Sequence, residues 1–138
     1  MDLGSKNEKL NKKYFWIGLT NTDTNGHFEW ASDKSTASFN KSFWEKDEPT
    51  YDGPYVHTNR ETMLLNDRNE LDINKPICQK DVDTNTRECE KEGWVLRKGQ
   101  CYKFMANTCA NGCSWAEAVA MCKKGGGKLT EGPDFNFL

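Results

Sequence analysis

The chain has 138 residues, of which 36% are hydrophobic and 29% are charged, and its formal net charge at neutral pH is -2. This length suits one domain with a modest core and is too short for two domains of average size. Basic and acidic residues are interspersed and no apolar run approaches membrane-spanning length, so we expect neither nucleic acid binding nor membrane insertion.

Six cysteines occur in this polar chain. Disulfides restrict the unfolded chain and compensate for a small core, by roughly 2 to 4 kcal/mol each. This cysteine usage predicts an oxidising compartment, and therefore a secreted or extracellular protein. Residues 1–13 are polar and lysine-rich and contain no signal peptide, so we expect the chain to be part of a larger protein.

The first half of the chain predicts short strands joined by turns. An aromatic and β-branched run at residues 14–19 precedes a polar stretch ending at Gly26, which is typical of a strand followed by a turn. Residues 27–30 alternate in polarity, and the pair predicts a hairpin. Residues 63–65 and 75–78 predict two closing strands around a turn at Asn66-Asp67.

A long irregular segment separates these strands. Small and polar residues dominate from Ala31 to Arg60, and Pro49, Gly53 and Pro54 interrupt any regular element. Segments of this length without secondary structure are uncommon in compact domains and are usually functional. We therefore expect a binding site within residues 44–60.

The second half predicts a linker, a pair of strands and one helix. Residues 81–88 are polar and lack periodicity, which is typical of a linker. Residues 94–96 and 101–104 predict strands joined by a turn at residues 98–99. Ser114 followed by Glu117 has the pattern of a capping box, and apolar residues recur at helical spacing until three glycines end the helix.

Two blocks of the sequence resemble the C-type lectin-like domain in its long form. The first block contains the motifs of the family's closing half: Phe15-Trp16-Ile17-Gly18-Leu19, Glu29-Trp30, Phe43-Trp44, Glu48-Pro49, Asn66-Asp67 and Pro76-Ile77-Cys78. The second contains those of its opening half: Cys89, Gly93-Trp94, Cys101-Tyr102-Lys103-Phe104, Ser114 to Ala118, Cys122 and Gly126-Gly127-Lys128-Leu129. The resemblance implies an α+β fold with small antiparallel sheets, one intact helix and a long binding loop.

The two blocks stand in the reverse of the family's usual order. The resemblance assigns residues 1–80 to the C-terminal half of the domain, residues 81–88 to a linker and residues 89–138 to the N-terminal half. Because the two ends of the family domain lie side by side as paired strands, a short linker can join them, and we expect one globule. A circular permutation and a fragment spanning two tandem repeats both give this order. The break would split the family's second helix between residues 134–138 and 1–13, with frayed ends.

The resemblance also implies two disulfides. One is the optional hairpin bridge of the long form, Cys89 with Cys101, and the other holds the two halves together, Cys78 with Cys122. The remaining two cysteines flank a flexible turn, so a local bridge between them is sterically reasonable: Cys109 with Cys113.

A calcium site in the long loop is a further implication of the resemblance. Ca²⁺ takes six to eight oxygen ligands. Sugar-binding relatives supply two of them from Glu-Pro-Asn or Gln-Pro-Asp around a cis proline, whereas this chain has Glu48-Pro49-Thr50. The threonine offers one hydroxyl in place of the amide or carboxylate. The ligands implied for Ca²⁺ are Glu48, Thr50, Asp52, Asn66 and Asp67.

In such relatives the metal ligands also bind vicinal sugar hydroxyls, so the resemblance implies a glycan or glycoprotein partner. Glu48 suits glucose- or mannose-type hydroxyls better than galactose-type ones. Tyr51, Tyr55 and His57 are candidates to stack on a sugar, although loop aromatics more often pack the loop, and we expect at least one of them to do so. Asn40-Lys41-Ser42 is a glycosylation sequon.

The main alternative is a calcium-independent lectin-like domain that binds protein or has a structural role. Thr50 is a weaker ligand than the family's residue, and Leu65 replaces the usual tryptophan before Asn66-Asp67. The family's inner loop bridge is absent, since Tyr55 and Glu70 stand near the places of its cysteines.

Other classes of function have less support. The two histidines, His27 and His57, have no recognisable catalytic motif around them, so we expect no enzyme. A zinc site of Cys109, Cys113 and the histidines is another alternative, but the disulfides account for every cysteine. The two halves could also close between chains, giving a swapped homodimer.

Overall fold

A computed structural model describes residues 14–21, 27–37, 41–51, 53–89, 93–105 and 109–131. These ranges contain nine strands, one α-helix (α1) and one short 3₁₀ helix, Lys41–Phe43. In chain order the elements are β1 Tyr14–Thr20, β2 Phe28–Trp30, β3 Thr36–Ala37, β4 Tyr55–Asn59, β5 Leu65–Arg68, β6 Lys75–Asp81, β7 Val95–Arg97, β8 Gln100–Phe104, α1 Trp115–Lys124 and β9 Lys128–Leu129. The frayed helix ends expected in residues 1–13 and 134–138 lie outside the described residues.

Strand β1 is the centre of the sheet. It pairs antiparallel with β2 and β4 and parallel with β6, where Phe15 lies opposite Lys75 and Trp16 opposite Pro76. The named strands pair antiparallel, as expected, except for β1 with β6, and they join into one mixed sheet rather than separate small ones. A long connection between β1 and β6 lets these two strands run in the same direction. Pairing neighbouring strands as hairpins predicts only antiparallel pairs, so the sequence does not reveal this parallel pair.

Strand β6 carries the sheet into the second half of the chain. It pairs antiparallel with β8 over five residue pairs, from Ile77 opposite Phe104 to Asp81 opposite Gln100. It also pairs with β9, and β7 pairs with β8 at the sheet's edge. The backbone of Asn74, just before β6, exchanges hydrogen bonds of 2.9 and 2.8 Å with that of Cys113.

The core lies on both faces of β1. Because successive side chains of a strand point to opposite faces, Phe15, Ile17 and Leu19 enter one hydrophobic cluster while Trp16 enters another. The Trp16 cluster includes residues of α1 and β9, together with the disulfides Cys78–Cys122 and Cys109–Cys113. This two-sided burial explains why β1 reads as an almost continuous apolar run.

Helix α1 begins where the sequence predicts. Ser114 Oγ accepts a hydrogen bond from the amide of Glu117, whose carboxylate accepts one from the amide of Ser114, completing the capping box. The helix buries Ala118 and Cys122 and ends at Lys124, with Gly125 as its C-cap. Three disulfides are present, and their pairs are the expected ones: Cys78–Cys122, Cys89–Cys101 and Cys109–Cys113.

The segment from residue 31 to 60 contains more regular structure than its composition predicts. It includes β3, the 3₁₀ helix and β4, which pairs with both β1 and β5. Residues 66 and 67 lie inside β5 rather than in a turn. Tertiary pairing overrides local preference here, because β4 and β5 gain their partners only from each other and from β1.

Candidate functional site

Thr50 brings two carboxylates together at one end of the β4–β5 hairpin. Its amide donates hydrogen bonds to Glu48 Oε1 at 3.1 Å and to Asp67 Oδ1 at 3.0 Å. Its hydroxyl donates a third to Glu48 Oε1 at 3.2 Å. Asp67 is fully buried, Glu48 is half-buried and Thr50 is exposed, so solvent reaches this group from the threonine side. The Glu48–Pro49 peptide bond is cis.

Asn66 faces a different partner. Its amide nitrogen donates a 3.1 Å hydrogen bond to Glu45 Oε1, and the amide of Glu45 donates one of 2.9 Å to the carbonyl of Leu65. Sequence analysis missed Glu45, although it lies only three residues before Glu48 on the same loop. The side-chain oxygen of Asn66 stays available as an acceptor, because its nitrogen makes the bond to Glu45.

The two carboxylates favour binding of a proton or a cation between them. Burial raises the pKa of the Glu48 carboxyl above its usual value, and the hydrogen bond and negative charge of Asp67 raise it further. The hydrogen bonds from Thr50 act in the opposite direction and lower this pKa. Two adjacent carboxylates repel each other unless a proton or a cation lies between them.

The described side chains at this site are of the chemical type that binds calcium, but they are fewer than a complete calcium site uses. Glu48, Asp67, the Thr50 hydroxyl and the Asn66 amide oxygen are hard oxygen donors of the type that Ca²⁺ prefers. The described part of the chain holds no group of three or more histidine, cysteine, aspartate or glutamate side chains arranged for a metal ion. Asp52, the candidate for the further acid, lies outside the described residues.

The three candidate aromatic contacts have different surroundings. Tyr55 stacks on Trp115 with the ring centroids 4.5 Å apart, and His57 stacks on Tyr14 at the same distance. Tyr51 is 56% exposed and touches the described structure through Phe28, with a centroid separation of 6.0 Å. Tyr55 and His57 therefore pack the protein, and Tyr51 is the one of the three that presents its ring to solvent.

His57 is 5% exposed, and no ring nitrogen makes a standard hydrogen bond to a described residue. Burial, with a further contribution from the positive charge of Arg68, lowers the pKa of its imidazole to about 4. The carboxylates of Asp72 and Asp67 and the neighbouring Asn74 side chain oppose this shift. The imidazole is consequently neutral at physiological pH.

The disulfide between Cys109 and Cys113 contradicts the hypothesis of a zinc site at these residues. Both Cys109 and Cys113 are oxidised in one disulfide, so neither offers a thiolate to a metal. The carbonyl of Cys109 instead accepts a 2.5 Å hydrogen bond from Lys75 Nζ, which ties this loop to strand β6.

The chain belongs to the family of C-type lectin domains. The family model described as "Lectin C-type domain" matches residues 2–80, which is more than half of the 138 residues. No solved structure matches the chain at a significant level. No described helix combines the length and apolar character needed to cross a membrane.

Curated receptors are similar to this chain. It is 29% identical over 122 residues to the secretory phospholipase A2 receptor of Mus musculus, and 28% identical over 133 residues to the C-type mannose receptor 2 of Homo sapiens. The C-type mannose receptor 2 of Mus musculus is 26% identical over 130 residues. Each match covers 83% of this chain and 8% of the relative, so the chain spans less than a tenth of these receptors.

Proposed function

We propose that this chain is a carbohydrate-binding module that engages its ligand at the Glu48–Thr50–Asp67 corner and uses Ca²⁺ there. The observation that carries the proposal is the carboxylate pair of Glu48 and Asp67, which Thr50 joins by hydrogen bonds and which solvent reaches from the threonine side. Glu48, Asp67, Thr50 and Asn66 would hold the ion. Bound Ca²⁺ would neutralise the pair and coordinate two vicinal hydroxyls of a glycan.

The protein's own residues orient the sugar. The free lone pairs of Glu48 accept hydrogen bonds from sugar hydroxyls, and the exposed ring of Tyr51 offers an apolar face beside them. Because the Glu48 pKa is raised, protons compete with a cation for this site. Calcium and sugar binding should therefore weaken together as the pH falls.

The test is a calcium titration of the chain followed by mannose. We expect millimolar Ca²⁺ to raise the melting temperature, and Glu48→Gln to abolish the increase by removing one charge at constant size. Glu61→Gln, an exposed carboxylate in the β4–β5 turn, is the matched control and should leave the increase intact. An unchanged melting temperature in the wild type, with no mannose binding, would reject the calcium mechanism.

The second candidate is a calcium-independent module that binds protein or serves as a scaffold. Three hydrogen bonds from Thr50 already satisfy part of the carboxylate pair without a metal. The described donors also include fewer acids than a strong calcium site uses. Saturable binding to a protein ligand that persists in a chelator would favour this candidate.

We also propose that residues 1–80 and 89–138 act as one module. Pairing of β6 with β8, and the disulfide between Cys78 and Cys122, support this arrangement. A continuous match over 83% of 138 residues omits about 24 at most, so every match to the receptors includes residues 25–114 and crosses the linker. Matches that span both halves of this chain in one stretch support a fragment across tandem repeats over a circular permutation.

This interpretation places the module outside the cell, as part of a receptor-like protein without catalytic activity. The three disulfides support an oxidising environment. The swapped homodimer stays a prediction, in which residues 1–80 of one chain pair with residues 89–138 of a second chain. Sedimentation of the oxidised chain distinguishes the monomer from this dimer.

A further inference from the structure

A cleft of about 290 Å³ lies between the β4–β5 turn and the β7–β8 hairpin. Its lining residues are Arg60, Gly93, Val95, Arg97, Tyr102 and Phe104. Among the described residues the lining includes two arginines and no acidic side chain, on a chain whose net charge is -2. Neither arginine forms a salt bridge with another described residue. The cleft is therefore locally positive within an acidic protein.

Arg60 is held in a fixed position at the rim. Its guanidinium carbon lies 5.1 Å from the ring centroid of Phe104 and 6.0 Å from that of Phe15. The neighbouring turn is fixed by Asn59, whose side-chain oxygen accepts a 2.9 Å hydrogen bond from the amide of Glu61. A guanidinium stacked on aromatic rings keeps its N–H groups directed outward in its own plane, where they can meet a carboxylate.

The wall beside the arginines is apolar. Val95 is 41% exposed and lies opposite Tyr102 in the hairpin. Phe104, two residues beyond Tyr102, points to the same face of the sheet. Leu96 is 46% exposed on the other face of the same short strand. Apolar side chains left open beside unpaired cations are typical of a binding surface.

We propose that this cleft binds an acidic and apolar peptide segment of a protein partner. A carboxylate of the segment pairs with Arg60 or Arg97, and an apolar side chain next to it packs on Val95. Arg97 uses one N–H group in a 2.8 Å hydrogen bond to the carbonyl of Leu96, which leaves its other donors for the carboxylate.

The chemistry of the lining favours a peptide over a sugar. A glycan carries many hydroxyls, and each needs an acceptor as well as a donor when it is buried. The lining side chains that the structure describes provide no carboxylate or amide oxygen. A cleft of this volume also holds only one or two side chains, which suits a short anchor of a larger partner.

This cleft is separate from the Glu48–Thr50–Asp67 corner. Val56 pairs with Asp67, and Arg60 lies four residues further along the same hairpin. At about 3.3 Å per residue, the two places are roughly 13 Å apart along the strand direction. Loss of calcium binding would therefore not affect the cleft, and the two proposals can fail independently.

The experiment is an NMR titration of the full 138-residue chain with an acetylated, amidated tripeptide Glu-Phe-Glu and its Gln-Phe-Gln counterpart. We expect the acidic peptide to shift the methyl signals of Val95 and the side-chain N–H signals of Arg60 and Arg97. Arg97→Gln should weaken binding about fivefold, the scale expected for a partly exposed charged hydrogen bond. Arg87→Gln, an exposed arginine of the linker turn, is the matched control and should have no effect.

Several results would overturn the proposal. Equal binding of the glutamine peptide would remove the role of charge, and unchanged affinity in Arg97→Gln and Arg60→Gln would remove that of the arginines. Arg60→Lys retains the cation above the aromatic rings and should keep more affinity than Arg60→Gln, so this pair separates loss of charge from loss of folding. Tighter binding of a sulfated disaccharide than of the acidic peptide would reject a protein segment as the occupant.

Discussion

The indole N–H of Trp16 donates a 2.7 Å hydrogen bond to the backbone carbonyl of Cys113, 97 residues further along the chain. The same carbonyl accepts a 2.9 Å bond from the amide of Asn74. Three segments that are distant in sequence thus meet at one oxygen: β1, the residue before β6 and the loop closed by Cys109–Cys113. This contact makes the stability of the first half depend on the second.

Trp16→Phe should destabilise the protein by about 2 to 4 kcal/mol, because it removes a buried hydrogen bond and leaves a cavity in a fully buried site. Urea denaturation of both proteins measures the loss. Trp94→Phe is the control, since Trp94 is only half-buried against Lys80 and should cost less than half as much. Equal losses in the free energy of unfolding would mean that the hydrogen bond from Trp16 to Cys113 does not add to stability.

Two of the three disulfides should differ clearly in their effect on stability. Cys78–Cys122 closes a sequence separation of 44 residues and Cys109–Cys113 one of 4 residues. Restriction of the unfolded chain gives about 4 kcal/mol for the long loop and about 2 kcal/mol for the short one. Replacing each pair by alanines, followed by thermal unfolding, measures the difference. A larger loss from the short loop would contradict this account.

Acid should destabilise the protein through His57. Its pKa is about 4 in the folded state, against an ordinary value of 6.5, so the unfolded chain binds a proton more readily. Stability is therefore full above pH 6.5 and falls as the pH drops, by about 3 kcal/mol at pH 4.

Chemical denaturation at pH 7.5 and pH 4.5 measures this loss. His57→Phe should flatten the pH dependence between these two values, whereas His27→Gln, at an exposed position, should leave it unchanged. A pH dependence that survives in His57→Phe would assign the acid sensitivity to other groups.

Thr50→Asn should strengthen calcium binding about tenfold, because an amide oxygen replaces a weaker hydroxyl ligand next to Glu48 and Asp67. Isothermal titration calorimetry at pH 7 gives the calcium affinities of both proteins. A repeat at pH 5 should show weaker calcium binding, because protons compete with the ion for the Glu48 carboxylate. Thr62→Asn, at an exposed turn position, is the control. Weaker or unchanged calcium binding in Thr50→Asn would argue for the calcium-independent module.

Local patterns predicted several elements of this fold well. The run at residues 14–19, the capping box at Ser114 and Glu117, and the turn at residues 98–99 all depend on neighbouring residues, and the structure places β1, α1 and the β7–β8 hairpin there. The same patterns failed at β4, because its pairing with β1 and β5 connects residues far apart in the chain.

The sequence likewise predicted some residues of the candidate site but not the contacts between them. Motif resemblance alone pointed to Glu48, Asn66 and Asp67, since their types and order identify a family. It gave no sign that Thr50 would join the two carboxylates, that Asn66 would turn to Glu45, or that His57 would be buried against Tyr14. Those contacts depend on how the long loop folds back on β5.

The amino acid order by itself determined the family, the secondary structure that rests on short-range pattern, and the residue types available to a site. Only the tertiary structure decided the mixed sheet with its parallel β1–β6 pair, and the positive cleft beneath Arg60. The physical reason is that hydrogen bonds between strands and burial of side chains act between residues close in space. The spacing of residues along the chain specifies neither their distances in space nor their burial.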